Sequence, residues 1–434
     1  MNLKASRIAT ALCMALPVAA LAAVEPDWAA LSAADAPHLV EQRRYLHQHP
    51  ELSNREFKTA KYLATQLRGL GLEVKTGVAH TGVVAVLKGA LPGPVVALRA
   101  DIDGLPVTEA VDVPFKSTVR AQYDGKDVGV MHACGHDGHM AILLGVARLL
   151  TAQRERLPGT VKFIFQPAEE SPPVGEEGGA ALMVKEGVLD ASPRPDVIFG
   201  LHLLSMFEVG KVGYRAGGIM ASADDMRIVV HGKQTHGAAP WLGVDPIVVA
   251  SQIVLGLQTI PARQTVATQA PVIVSIGKID GGVRDNIIPD RVEMKGTLRA
   301  LDEDMRQDLQ MRVRRTAEKI AESAGASAEV FFSERHAYPV TFNDPELMTQ
   351  MLPALRGEFG DALFEAQPIL GAEDFSFFQQ KIPGLYLFVG IRPHDVVPEG
   401  FASNHSPNFT MDEAALQTGV RALTRLTWDY LGGG

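Results

Sequence analysis

Val161-Lys162-Phe163-Ile164-Phe165-Gln166-Pro167-Ala168-Glu169-Glu170 is an apolar β-type run that closes on a pair of carboxylates. The next such run, 197–201, closes on His202, and further runs occupy 83–87, 95–102 and 385–389. Continuous apolar runs of this length suit strands buried on both faces. Helical patterns at 56–70 and 139–150 separate several of them, the second with apolar Ile142, Val146, Leu149 and Leu150. Alternating strands and helices predict an α/β fold with a central, mostly parallel sheet flanked by helices. Ligands of such sheets sit beyond the carboxyl ends of the strands. Asp101, Asp103, Glu169, Glu170 and His202 all fall just after apolar runs.

A second unit is expected from residue 213. Strand patterns at 226–232, 272–276 and 292–298 mix with helical patterns at 246–257 and 303–323, which suggests a small inserted α+β domain. The expected organisation is a removable segment at 1–23, a large domain at 24–212 and 331–434, and the insertion at 213–330. At 434 residues the chain exceeds the size at which one core stops growing, so two domains are reasonable.

The first segment reads as an export signal. Lys4 and Arg7 precede the apolar run 8–23, and Ala20-Leu21-Ala22 supplies a small-x-small cleavage pattern. The run is shorter than a membrane span and Pro17 interrupts it, so no stable membrane insertion is expected after its removal. A secreted, periplasmic protein follows. Removal also takes Cys13, leaving Cys134 as the sole cysteine and no possible intrachain disulfide. The net charge of -9, with no Lys/Arg cluster, argues against a nucleic-acid partner.

Cys134 lies in Met131-His132-Ala133-Cys134-Gly135-His136-Asp137-Gly138-His139. A thiolate, imidazoles and paired carboxylates at the ends of core segments form the donor set of a hydrolytic metal centre. Taken alone, Cys134 also fits a buried inert residue, and residue types alone leave open a nucleophile paired with a histidine, although that would leave the Glu pair and His202 without a role. His132 and His139 read as supporting or helix-capping residues, and His202 has an alternative reading as a satisfied core histidine. Adjacent Glu169 and Glu170 can face opposite ways on an extended chain, one toward metal and one toward substrate. There is no G-x-S-x-G elbow, no glycine-rich nucleotide loop and no P-C-x-x-C deaminase motif.

The chain resembles the di-metal amidohydrolases of the aminoacylase and carboxypeptidase-G-like metallopeptidases. It is most similar to the branch of hippurate hydrolases, N-acyl-amino-acid amidohydrolases and auxin-conjugate hydrolases. The resemblance rests on Leu98-Arg99-Ala100-Asp101-Ile102-Asp103-Gly104-Leu105-Pro106, His132–His139, Phe165–Glu170 and Gly200-Leu201-His202. It continues through Thr235-His236-Gly237-Ala238-Ala239-Pro240, Asn286-Ile287-Ile288-Pro289-Asp290, Gly371-Ala372-Glu373-Asp374-Phe375 and Asn404-His405-Ser406-Pro407-Asn408-Phe409.

That resemblance implies that Cys134, His136, Glu170, His202 and His405 ligate two divalent metal ions. Zinc or manganese is expected, with nickel or cobalt as other choices. It implies Glu169 as general base and acid, and Asp101 as an outer partner orienting a histidine ligand. Asp103 and Glu109 are expected to hold local structure. The insertion would be a lid and dimerisation unit whose His236 stabilises the developing oxyanion, in its own chain or across a homodimer. Asn286 and Arg299 would approach the substrate carboxylate. The expected activity is hydrolysis of N-acyl amino acids, or of dipeptides and short peptides with a free carboxylate. A periplasmic solute-binding protein, also two-domained with a crevice, is the alternative from another class.

Overall fold

The computed structural model describes residues 25–433, so the expected export signal at 1–23 lies outside the described residues. An eight-stranded sheet carries four parallel strands at its centre: Pro158–Gln166, Leu91–Asp101, Val197–Glu208 and Gly384–Arg392, in that spatial order. Glu73–Val78 and Gly82–Lys88 extend one edge antiparallel, and Val212–Tyr214 and Leu363–Glu365 complete the other. The expected α/β class is observed.

Alternation along each central strand feeds two separate cores. Phe163, Phe165, Val96, Leu98, Phe199 and Leu201 face one side. Helices Trp28–Gln48, His136–Ala152 and Ala414–Tyr430 cover them, and Trp28 meets Trp428 edge-on at 5.3 Å. Ile164, Ala97, Ile198 and Phe388 face the other side, under Ala180, Met183, Phe375 and Phe378. Strand Pro158–Gln166 is buried at every position. Each Leu or Phe so buried contributes about 1.5–3 kcal/mol over exposure. Covering both faces drives the carboxyl ends of these strands, and the polar residues after them, toward one edge of the core.

A smaller antiparallel sheet has the order Val272–Gly281, Arg291–Ala300, Ala223–His231, Ser327–Tyr338. Helices Pro246–Arg263 and Glu303–Ser323 pack on it around a core of its own. Their starts are explained locally. Asp245 accepts the Ile247 N–H at 2.9 Å with Pro246 in the first turn, and Asp302 accepts the Met305 N–H at 2.9 Å. The placement of strands differs from residues 213 and 330 as limits. Val212–Tyr214 pairs within the large sheet, whereas Ser327–Tyr338 runs on in the small one. Apolar run lengths carry no information about which sheet a strand joins.

Candidate metal centre

Helix His136–Ala152 starts three residues before the expected position, because Gly135 adopts φ 98°. That left-handed conformation, costly for a residue with a Cβ, turns the chain sharply between Cys134 and His136. Cys134 Sγ then lies 3.4 Å from His202 Nε2 and 3.2 Å from His405 Nε2. His405 Nε2 is 3.0 Å from Glu170 Oε1, and His136 Nε2 is 4.0 Å from the same oxygen and 3.9 Å from Glu169 Oε2. Ligand atoms of Cys134, His136 and His202 group within 4.8 Å, as do those of Cys134, Glu170 and His405. Two overlapping donor triads thus share one sulfur. His405, far along the chain, is brought in by its own N–H donating to the Ala133 carbonyl at 2.7 Å.

These donors fit cations. His136 Nδ1 donates to the Asp103 carbonyl at 2.8 Å, which leaves Nε2 buried without a hydrogen-bond partner among the described residues. His202 Nδ1 donates to the Leu203 carbonyl at 3.0 Å, so its Nε2 also presents a lone pair inward. An outer hydrogen bond that fixes the tautomer is the usual support of a ligating imidazole. Burial, aided by neighbouring His139, holds His202 well below the usual histidine range. Burial disfavours a charged His136, but Asp101 and Asp103 outweigh it and push that imidazole up to about 10. Burial, then Glu170 and Glu169, raises the Cys134 thiol well above its ordinary value. A pocket with this surplus of carboxylates calls for positive charge, and a thiolate persists there beside a cation.

The turn carrying the two glutamates is held through its backbone. Ala168 and Ser171 both take positive φ, 54° and 84°. The Ala168 N–H donates to Glu56 Oε1 at 2.9 Å, and the N–H groups of Glu169 and Glu170 donate to the two oxygens of Asp103 at 3.1 Å each. Tyr338, on the small sheet, donates to the Glu169 carbonyl at 2.8 Å. The two bonds to the Asp103 carboxylate, which despite burial its neighbours hold below the ordinary range, are charge-assisted and contribute about 1.5–3 kcal/mol each, enough to offset the strain of two left-handed residues. The outcome separates the pair: Glu170 faces His405, and Glu169 faces His136 and the buried carboxylates Glu373 and Asp374. Burial and then Glu373 and Glu170 push Glu169 well above the ordinary carboxylate range. Burial and Asp103 push Glu56 up to about 8.

Asp101 makes its hydrogen bonds to His139 and Arg99 and an ion pair with His136. Its Oδ1 accepts from His139 Nδ1 at 2.6 Å and its Oδ2 from Arg99 at 2.8 Å, while His136 Nε2 is 3.7 Å away. His139 Nε2 in turn accepts the Leu203 N–H at 2.9 Å, beside His202. Arg99, fully buried, also donates to Glu373 at 2.9 Å and Asp374 at 3.0 Å, and Tyr386 donates to Glu373 at 2.6 Å. Glu109 accepts the Ser117 N–H at 2.7 Å and lies 3.2 Å from His47 Nε2. Sequence reasoning missed Glu56 and the Asp103 carbonyl. Neither sits in a ligand-like spacing, and each bond has a backbone group on one side, the Ala168 N–H for Glu56 and the carbonyl of Asp103 itself, which carries no residue signature.

The remaining expected residues lie on the small sheet and its loops. Exposed His236 pairs in register with Ile287, its Nδ1 accepts the Ala238 N–H at 2.9 Å, and Gly237 N–H donates to the Asn286 carbonyl at 2.8 Å. His236 and exposed Asn286 are therefore neighbours. Half-buried Arg299 donates to the Leu298 carbonyl at 2.9 Å and to Thr297 Oγ1. Among the described residues no hydrogen bond or ion pair joins these three to the Cys134 cluster. A cavity of about 200 Å³ opens beside Glu170 and Ser171, walled by Leu52, Leu105, Pro106 and Tyr123.

Residues 97–429 match peptidase family M20/M25/M40. A thermostable carboxypeptidase of Saccharolobus solfataricus is 44% identical over 388 residues, covering 88% of this chain and 93% of that protein. An N-acetylcysteine deacetylase of Bacillus subtilis is 40% identical over 379 residues, 87% of this chain and 93% of its own. The Bacillus subtilis YXEP protein, a dinuclear metal binding peptidase, superposes with a TM-score of 0.77 at 37% identity, covering 92% of this chain and 99% of that one. With donor triads and hydrolase relatives in agreement, the chain belongs to peptidase family M20/M25/M40 and is a metal-dependent hydrolase of amide or peptide bonds.

Proposed function

We propose that the protein hydrolyses N-acyl amino acids, or short peptides with a free carboxylate, at the Cys134 cluster. The observation that carries this reading is the pair of donor triads sharing Cys134, with Glu169 at their edge. Cys134, His136, Glu170, His202 and His405 would hold two divalent ions, zinc or manganese before nickel or cobalt. When bound, such ions polarise the amide carbonyl and lower the pKa of water. Glu169 takes the proton of the attacking water and returns it to the departing nitrogen. The buried setting of Glu169 keeps bulk water from that proton, and the backbone clamp on its turn holds the carboxylate in place. The cavity beside Glu170 accepts an apolar acyl or side chain against Leu52, Leu105 and Pro106.

The small sheet serves as lid and dimerisation unit in this reading. His236, near Asn286, meets the developing oxyanion on closure, and Arg299 and Asn286 receive the substrate carboxylate. Exposed Ile247, Val248 and Leu255 on helix Pro246–Arg263, next to the open edge of strand Val272–Gly281, support a homodimer through this unit. The N-terminal pattern supports export to the periplasm. Among the described residues no helix is long and apolar enough to cross a membrane. The hydrolase relatives and the donor set favour catalysis over solute binding.

Turnover of a panel of N-acyl amino acids and dipeptides by metal-loaded protein tests the substrate class. Cleavage confined to substrates without a free carboxylate would overturn it. Light scattering tests the dimer, and the N-terminal mass of protein recovered from the periplasm tests export.

A further inference from the structure

We infer that Asn404 is a positioning residue that sets three of the proposed metal ligands at once; the inference rests on the two-cation reading above. Its carboxamide lies where three separate chain segments meet. Nδ2 donates to the Cys134 carbonyl at 3.0 Å and to the Leu203 carbonyl at 3.0 Å, and Oδ1 accepts the Ser205 N–H at 3.1 Å. The Asn404 N–H itself donates to Ser205 Oγ at 3.3 Å.

The two carbonyl bonds each reach a ligand through one step, and the chain itself reaches a third. The Cys134 carbonyl belongs to the residue that supplies the shared sulfur. The Leu203 carbonyl also accepts from His202 Nδ1, so Asn404 fixes the acceptor that sets the ring of His202. His405 follows Asn404 directly and takes φ 68°, a left-handed conformation uncommon for any residue with a side chain. Docking of its neighbour on both sides maintains that conformation, together with the His405 N–H on Ala133. The two Nε2 atoms then stand 3.4 Å and 3.2 Å from Cys134 Sγ.

The chemistry demands an amide. Two carbonyls require two donors and one N–H requires an acceptor, and a primary carboxamide presents both from one short side chain. An aspartate of the same shape would keep the acceptor but turn a lone pair toward two carbonyls. A longer glutamine would push one of the three segments away. Outer partners of metal ligands commonly change metal affinity by about 10–100-fold when replaced.

The test is cobalt(II) titration of metal-free protein, read by the thiolate-to-cobalt absorption band and by the affinity of each ion. Wild-type protein is expected to take two ions per chain. Asn404→Asp and Asn404→Ser are expected to weaken at least one ion by about 10–100-fold and to shift the thiolate band. Asn404→Ser introduces no charge and carries the same expectation if the aspartate variant does not fold. Wild-type affinities and an unshifted band in a folded variant would overturn the inference, even if its metal-free melting temperature fell. Fewer than two ions in the wild type would instead overturn the two-cation reading, and this inference with it.

Discussion

Asp103 serves His136 and the glutamate turn with different atoms: its carbonyl accepts the His136 Nδ1–H at 2.8 Å, and its carboxylate accepts the Glu169 and Glu170 N–H groups. One residue therefore aligns an imidazole and two carboxylates that come from separate elements. Ser53 completes its coordination, donating to Oδ2 at 2.7 Å.

Asp103→Asn puts an NH2 group against one of those backbone donors. A buried N–H is then left unpaired, and the cost is about 1–3 kcal/mol of stability. Denaturant unfolding is expected to show that loss, with a fall in turnover larger than any change in KM. Unchanged turnover in a destabilised variant would confine Asp103 to structure.

Glu169→Gln keeps the shape and removes the proposed proton carrier. Turnover is expected to drop by about 10²–10⁴-fold while bound metal and melting temperature stay near wild type. Metal analysis beside steady-state kinetics checks this. Retained turnover would sink the role given to Glu169.

Arg99 is the buried counter-ion of Asp101, Glu373 and Asp374. Arg99→Met leaves these carboxylates uncompensated, and about 3–5 kcal/mol of destabilisation is expected. Burial opposes the charge on Arg99, but Glu373 and Asp101 raise it well above its ordinary value, so the loss should persist at high pH. A stability loss under 1 kcal/mol by calorimetry, roughly a surface-pair effect, contradicts this account.

His47 lies between Asp137 at 2.8 Å and Glu109 at 3.2 Å, with Arg43 also on Asp137 at 2.7 Å and the Phe115 ring edge-on. Burial lowers the imidazole, yet the bonds to Asp137 and Glu109 outweigh it, so its folded pKa is raised. A raised histidine contributes its full stability below its unfolded value of about 6.5 and loses it as pH climbs through the folded value. The stability gap between wild type and His47→Gln is therefore expected to be widest near pH 6 and to narrow toward pH 9. Denaturant midpoints across that range decide it, and a constant gap would falsify the assignment.

Chelation is expected to abolish turnover and lower the melting temperature, since the ligands assemble only in the folded chain. Reloading restores both. Cys134, buried and the one free cysteine among the described residues, should react with thiol reagents more slowly in loaded than in chelated protein. Equal rates exclude it as a ligand.

Apolar runs ending near Asp101 and Glu170 were readable because buried parallel strands need unbroken hydrophobic stretches, and polar chemistry begins where these stop. His202, expected just past the end of its strand, lies instead inside Val197–Glu208 in register with Phe388, because sheet pairing carries that strand beyond its apolar run. Candidate ligand types were readable for a related reason: few side chains bind a cation, and the structure groups Cys134, His136, Glu170, His202 and His405 as possible donors. Strand membership at 212–214 and at 327–338 was not, since pairing partners are chosen by the sheet's register and not by local composition.

By itself, then, the order of residues determined the α/β class, the chemistry available at the strand ends and the family. Only the tertiary structure decided which groups hold that chemistry in place. Asn404 reaches Cys134 across 270 positions and Glu56 reaches Ala168 across 112. Both bond to backbone atoms, which every residue possesses, so the partner is selected by proximity in the folded chain and leaves no pattern in the sequence.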